Sequence, residues 1–152
     1  MNLSIVKHYM FGLLLAIALS GCNDNVISSI PNYPVSLALN LTTTYPTFRN
    51  SINRYLVFKK AIYVTDMVGY GGILVYTDFN GDYCAYDLSC PYEAKRTVRV
   101  VPNEVGHAVC EGCGSVFNIS DGIGEPLSGP AKQTLKRYKT ILSGDVLYVT
   151  NN

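Results

Sequence analysis

The chain has 152 residues, 48% of them hydrophobic and 15% charged, with a formal net charge of +1. That length supports one compact domain with its own core, and the composition excludes a disordered chain. The near-neutral balance excludes a nucleic-acid surface, which needs a basic excess on one face.

In chain order the first element is a targeting segment. Lys7 supplies a small positive region, and Met10 to Leu19 is an apolar run too short to span a bilayer as a helix. Small residues then precede Cys22. The tetrapeptide Leu19-Ser20-Gly21-Cys22 resembles a bacterial lipobox. The resemblance implies cleavage before Cys22, a diacylglycerol on its sulfur and an acyl chain on its amine. The plainer alternative is an ordinary signal peptide followed by a chance cysteine. Two or three chains anchor stably where one is marginal. Removing residues 1–21 takes away Lys7, so eleven of the twelve basic residues remain against eleven acidic ones. Membrane attachment then rests on lipid rather than on a polybasic patch. His8 goes too, which leaves His107 as the single histidine. The expected address is the cell envelope, on the outer membrane or the periplasmic face.

Residues 22–34 read as a lipidated tether, because NDNVISSIPNYP is rich in Asn, Ser and Pro and has no apolar period. Residues 35–152 read as the folded domain. Val35, Leu37, Leu39 and Leu41 alternate with smaller or polar residues, the pattern of a half-buried strand. Thr42 to Asn53 reads as loop, and Tyr55 to Thr65 as one or two strands. The glycines of MVGYGG (67–72) mark a bend or close backbone approach. They do not form a nucleotide loop, since the third glycine and the following helix are both missing. Ile73 to Phe79 and Asp82 to Leu88 form a hairpin around Asn80-Gly81, a pair suited to a type I′ turn with positive φ at both positions. Arg96 to Val101, Gly106 to Val109 and Ser115 to Ile119 are further strands. Asp121 to Gly124 is a turn, in which Asp121 and Glu125 both sit, and Leu135 to Leu142 with Val146 to Thr150 is a last hairpin. No stretch of the domain shows a helical period. The predicted class is all-β, a small antiparallel sandwich or barrel.

Four cysteines remain after Cys22: Cys84, Cys90, Cys110 and Cys113. An extracytoplasmic compartment permits disulfides, and four cysteines allow three full pairings. Glycines flank the pair Cys110-Glu-Gly-Cys113-Gly114. They let backbone N–H groups turn toward a thiolate, as in zinc and iron knuckles. One Cys-x-x-Cys alone is a weak signal, and the other loop adds only Cys90. Catalysis by a Ser-His-Asp set is implausible with one histidine, and an enzyme is not the favoured reading. A dithiol oxidoreductase would place its Cys-x-x-Cys at a helix start, whereas strands surround this one.

The order Ala85-Tyr-Asp-Leu-Ser-Cys90-Pro, then Cys110-x-x-Cys113-Gly-Ser-x-Phe117, then Gly122-x-Gly-x-Pro-Leu-Ser-Gly129-Pro130-Ala131 resembles a Rieske domain across roughly residues 71–150. The resemblance implies an all-β fold with two cysteine-bearing loops gripping a [2Fe–2S] cluster. It places Cys90 and Cys110 at the family's two cysteines, and Gly129 and Pro130 in the loop that covers the cluster. The departure is equally plain. The family's two histidine ligands fall at Tyr92 and Cys113, and a phenol is a poor ligand because its pKa lies near 10. His107 alone cannot supply two imidazoles, so a standard two-histidine cluster is not expected. The pattern resembles bacterial lipoproteins with degenerate Rieske-like domains.

Three readings follow from the resemblance. The first is a retained, non-catalytic fold without metal, in which Cys90 and Cys110 form a disulfide and Tyr92 plugs the vacated space. The second is a metal-binding or electron-transfer protein that holds zinc, or a non-standard [2Fe–2S] cluster, through Cys90, Cys110 and Cys113. Its fourth ligand would be Cys84, Glu93 or His107, with Cys84 placed mid-strand and reading equally well as core. The third is a thiol–disulfide redox protein. Lys132, Lys136, Arg137 and Lys139 form a basic cluster that suits either a solvated face or an acidic envelope partner.

Overall fold

The computed structural model describes residues 28–151. The targeting segment, Cys22 and residues 23–27 of the expected tether lie outside the described residues. Eleven strands and one short helix follow one another: β1 (Val35–Asn40), α1 (Pro46–Arg49), β2 (Arg54–Phe58), β3 (Met67–Val68), β4 (Ile73–Thr77), β5 (Tyr83–Asp87), β6 (Val100–Pro102), β7 (His107–Cys110), β8 (Val116–Asn118), β9 (Glu125–Ser128), β10 (Arg137–Ser143) and β11 (Val146–Thr150). The protein is all-β. Every named strand pair is antiparallel, in one sheet ordered β2-β4-β5-β10-β11-β1-β3 and a smaller one ordered β6-β7-β8-β9.

The central hairpin explains the architecture. Strand β4 reads Ile-Leu-Val-Tyr-Thr and is buried at every position. Successive strand residues point to opposite faces, so a continuous buried run needs a core on each side. Ile73 and Val75 join one core with Leu37, Leu39, Leu147 and Val149 from β1 and β11. Leu74 and Tyr76 join a second core with Val100, Ala108 and Phe117 of the small sheet. Cys84, Cys90 and Cys110 belong to that second core, and Cys113 packs against it. The small sheet is thus a cap on the outer face of β4 and β5, and the cysteine loops sit at its end.

Several sequence expectations change. Residues 42–53 contain α1, opened by Pro46 at the start of its single turn; four residues are too few to display a period. Asn80-Gly81 does not form the type I′ turn, because Gly81 has φ +86° but Asn80 is not at positive φ. The Asp78 carboxylate instead accepts from the N–H groups of Asn80 and Asp82, at 2.9 and 2.8 Å, and closes a wider loop. Glu125 opens strand β9 rather than lying in a turn. Only one strand, β2, forms between residues 54 and 65, since the chain from Lys59 to Asp66 makes bends and turns.

The described part of the expected tether does not hang free. Ile30 is 2% exposed. The Lys136 ammonium donates to the carbonyls of Ile30 and Pro31 and to the Asn32 side chain, at 3.2, 2.9 and 3.3 Å. The Asn151 amide holds Tyr33 and Val35 from the other chain end. Residues 28–34 therefore form a strap across the domain.

Candidate metal centre

Two loops converge on one point. The first leaves β5 through Leu88, Ser89 and Cys90 and turns back so that Ser89 bridges to Arg99. Within it the Cys90 N–H donates to the Val98 carbonyl at 3.2 Å, and the Ala94 N–H donates to the Cys90 carbonyl at 2.9 Å. The second loop is the β7–β8 hairpin. Its Cys110 N–H donates to the Ser115 carbonyl at 2.8 Å, and its Gly114 N–H donates to the Cys110 carbonyl at 3.0 Å. This tight reversal turns the Cys110 and Cys113 side chains toward Cys90.

The sulfurs of Cys90, Cys110 and Cys113 all lie within 4.8 Å of one another, and those of Cys90 and Cys113 are 3.7 Å apart. All four cysteines among the described residues are free thiols, so the expected Cys90–Cys110 disulfide is not formed. Cys90 and Cys110 are fully buried, and Cys113 is partly open to solvent. Tetrahedral zinc bonds of about 2.3 Å to sulfur place two sulfurs about 3.8 Å apart, which is the observed Cys90–Cys113 spacing.

The thiols differ electrostatically. Burial pushes the Cys90 thiol up to about 12, against the backbone N–H groups of Glu93 and Tyr92 that favour its anion. Burial alone would raise Cys113 as well. The Ser115 hydroxyl and backbone, followed by Cys110 and Cys90, outweigh it and hold this thiol below its ordinary range. The Ser115 hydroxyl lies 3.1 Å from the Cys113 sulfur and accepts the Ala131 N–H at 3.0 Å. Toward a Cys113 thiolate, which has no proton to give, that hydroxyl is the donor. Ser115 is fully buried. Sequence reasoning gave it no role, although it stands two residues after Cys113 in the quoted motif.

The loop with Gly129 and Pro130 lies against the same point. A side chain at Gly129 would meet the Ser115 Cα at 2.6 Å, and its φ of +89° favours glycine. Pro130 is exposed at the outer side. Tyr92 does not plug the site: it is 57% exposed, and the side chain that lies against Cys90 is Cys113.

The three candidate fourth ligands lie elsewhere. Cys84 sits on β5 opposite Tyr76, facing Gly122 and inside the second core. His107 opens β7, paired with Asn118. Glu93 comes nearer, with its carboxylate beside Gly112 of the knuckle and 3.6 Å from the Lys95 ammonium. None of them joins the three-thiol group. A two-cysteine, two-histidine cluster does not fit, because the described residues hold one histidine and it is not at the site. A four-thiolate cluster does not fit either, because Cys84 is committed to the core. Three thiolates with one further position suit a single soft ion.

Asp87 is a second residue that sequence reasoning passed over. It is fully buried and accepts from the N–H groups of Tyr70, Gly71 and Ser89 and from the Tyr138 hydroxyl, at 3.0, 3.1, 2.7 and 2.6 Å. It thereby ties the glycine bend, the start of the Cys90 loop and β10 together. An aspartate inside a β-branched and aromatic run was the available signal, since strands are depleted in it.

Among solved structures the chain is similar to the cyanobacterial plasma membrane Rieske protein PetC3 from Synechocystis PCC 6803, with 28% identity over 52% of this chain and 76% of that one, and a TM-score of 0.44. It is also similar to the ferredoxin of carbazole 1,9a-dioxygenase from Nocardioides aromaticivorans IC177, at 15% identity over 78% of this chain and 98% of that one, with a TM-score of 0.49. A Sphingomonas yanoikuyae B1 ferredoxin matches at 16% identity over 61% and 84%, with a TM-score of 0.42. No protein-family profile and no curated protein matches the chain.

Proposed function

We propose that this chain is a lipid-anchored envelope protein whose Rieske-like domain binds one soft metal ion, zinc or ferrous iron, through Cys90, Cys110 and Cys113. The observation that carries this reading is the convergence of three free thiols from two separate loops within 4.8 Å. Bringing unpaired polarisable groups together at the edge of a core has no packing advantage over alanine or valine, whereas a thiophilic ion uses all three. The lipid anchor rests on the Leu19-Ser20-Gly21-Cys22 pattern. A bound ion would hold the two loops together, and with iron it would carry an electron.

The test is metal analysis with a visible spectrum on protein purified without oxygen. About one equivalent of zinc or iron is expected for a single three-thiolate site. Protein that binds neither metal after reduction and reconstitution would overturn the reading.

A second reading has one observation in its favour. With sulfurs 3.7 Å apart, Cys90 and Cys113 need only a small movement to form a disulfide of about 2.05 Å. Loss of exactly these two thiols on mild oxidation, in protein that takes up no metal, would favour thiol redox chemistry.

A further inference from the structure

The strap of residues 28–34 crosses the domain beside the cysteine site. The Ser29 hydroxyl donates to the Pro91 carbonyl at 2.5 Å, one residue from Cys90. The Ser29 N–H donates to the Gln133 side chain at 3.1 Å. Farther along, the Arg96 guanidinium lies over the Tyr33 ring, 5.6 Å from its centre. Tyr33 packs on Tyr70 with ring centres 5.3 Å apart, and the Tyr70 hydroxyl donates to the Ala94 carbonyl at 3.4 Å. The strap thus grips the 91–96 loop at both ends, while Lys136 and the burial of Ile30 hold its middle.

The length of chain before the strap gives this arrangement a consequence. Ser28 follows Cys22 by six positions, a reach of at most about 22 Å even when fully extended. A domain of this size is about 35 Å across. A leash that short, leaving from beside the Cys90 loop, cannot bring the opposite pole of the domain to the bilayer. The exposed residues around the exit suit a lipid surface. Tyr33 is 42% exposed and Tyr92 57%, and tyrosine favours the headgroup level. Lys95 and Arg96 are exposed beside them, as is Lys132. Two carboxylates share these loops, Glu93 close to Lys95 and the exposed Glu111. The face therefore has little net charge and does not require anionic lipid.

We propose that the docked strap turns the Cys90 loop toward the membrane, so that Tyr33, Tyr92, Lys95 and Arg96 form a face that lies against phospholipid headgroups. This orientation rests on the lipid anchor at Cys22. It places the three-thiol site at the membrane-facing edge of the domain.

The chain contains no tryptophan, so one introduced tryptophan reports its own surroundings. The experiment uses full-length lipidated protein in phosphatidylcholine vesicles that carry brominated phosphatidylcholine, a contact quencher. Tyr92→Trp should lose most of its emission. Leu142→Trp is the control. Leu142 is 51% exposed and lies at the β10–β11 hairpin end, where β1 finishes rather than where it leaves the strap. Its emission should be unchanged. Lys136→Met, added to Tyr92→Trp, frees the middle of the strap and should restore much of the emission. Equal quenching of the two reporters, or no quenching of Tyr92→Trp in vesicle-bound lipidated protein, would overturn the orientation alone. Absence of the lipid mass on Cys22 would overturn the anchor and the orientation together.

Discussion

The sulfurs of Cys90 and Cys113 lie 3.7 Å apart although 23 positions separate them in the chain. One comes from the loop after β5 and the other from the β7–β8 hairpin, so the contact joins the two sheets. Cys113→Ser should therefore abolish stoichiometric metal binding, while Cys84→Ser, whose side chain lies in the core, should leave it intact. Metal content of the two purified variants decides the point; equal retention would remove Cys113 from the site.

The Ser115 hydroxyl accepts the Ala131 N–H and lies 3.1 Å from the Cys113 sulfur, to which it is the donor once Cys113 is a thiolate. Partners that orient a metal ligand are typically worth about 10–100-fold in affinity. Ser115→Ala should weaken metal binding by about that factor and slow alkylation of Cys113 near neutral pH in the metal-free protein, since a fixed hydrogen bond to the thiolate is lost. Competition with a chelator gives the first number, and iodoacetamide kinetics the second. An unchanged alkylation rate would mean the hydroxyl does not favour the anion.

Asp87 holds four donors in a fully buried place. Asp87→Ala leaves all four without their acceptor and should cost several kcal/mol, at about 1–3 kcal/mol for a buried donor left unsatisfied. Tyr138→Phe removes one bond to a charged acceptor and should cost about 1.5–3 kcal/mol. Urea unfolding measures both, and a loss below about 1 kcal/mol for Asp87→Ala would show the network to be dispensable.

Cys84 titrates in an unfavourable place. Burial first and then the Asp78 carboxylate push its thiol from 9.0 up to about 11, despite opposing help from Arg137 and Tyr86. Between these values the unfolded chain gives up its proton while the folded chain keeps it. The unfolded state then binds fewer protons, and stability falls as pH rises. The contribution is fully present below pH 9 and fades toward pH 11. Thermal melting from pH 8 to 11 should fall less steeply in Cys84→Ala than in the parent protein. Parallel slopes would show that Cys84 titrates normally.

Much of the scaffold was legible along the chain. The alternation of Val35, Leu37 and Leu39 gave β1, and each of these side chains is buried. The run Ile73 to Tyr76 gave β4, although only the two cores explain why no position in it is exposed. The turn at Asn80-Gly81 was placed correctly but given the wrong type, because the Asp78 carboxylate competes for the local N–H groups. Strand β9 was missed, since Glu125-Pro-Leu-Ser owes its pairing to β8 rather than to its own propensity.

By itself the sequence determined the all-β class, the place of the two cysteine-bearing loops, and the presence of one histidine, His107, among residues 28–151, because periodicity, glycine spacing and residue counts are properties of the chain. Only the tertiary structure decided which thiols meet. It grouped Cys90, Cys110 and Cys113, assigned Cys84 to the core, and left Tyr92 facing outward. It also folded residues 28–34 into a strap rather than a free leash. The physical reason is the same throughout. Distances between loops depend on how two sheets pack on the β4–β5 hairpin, and no local pattern encodes that packing.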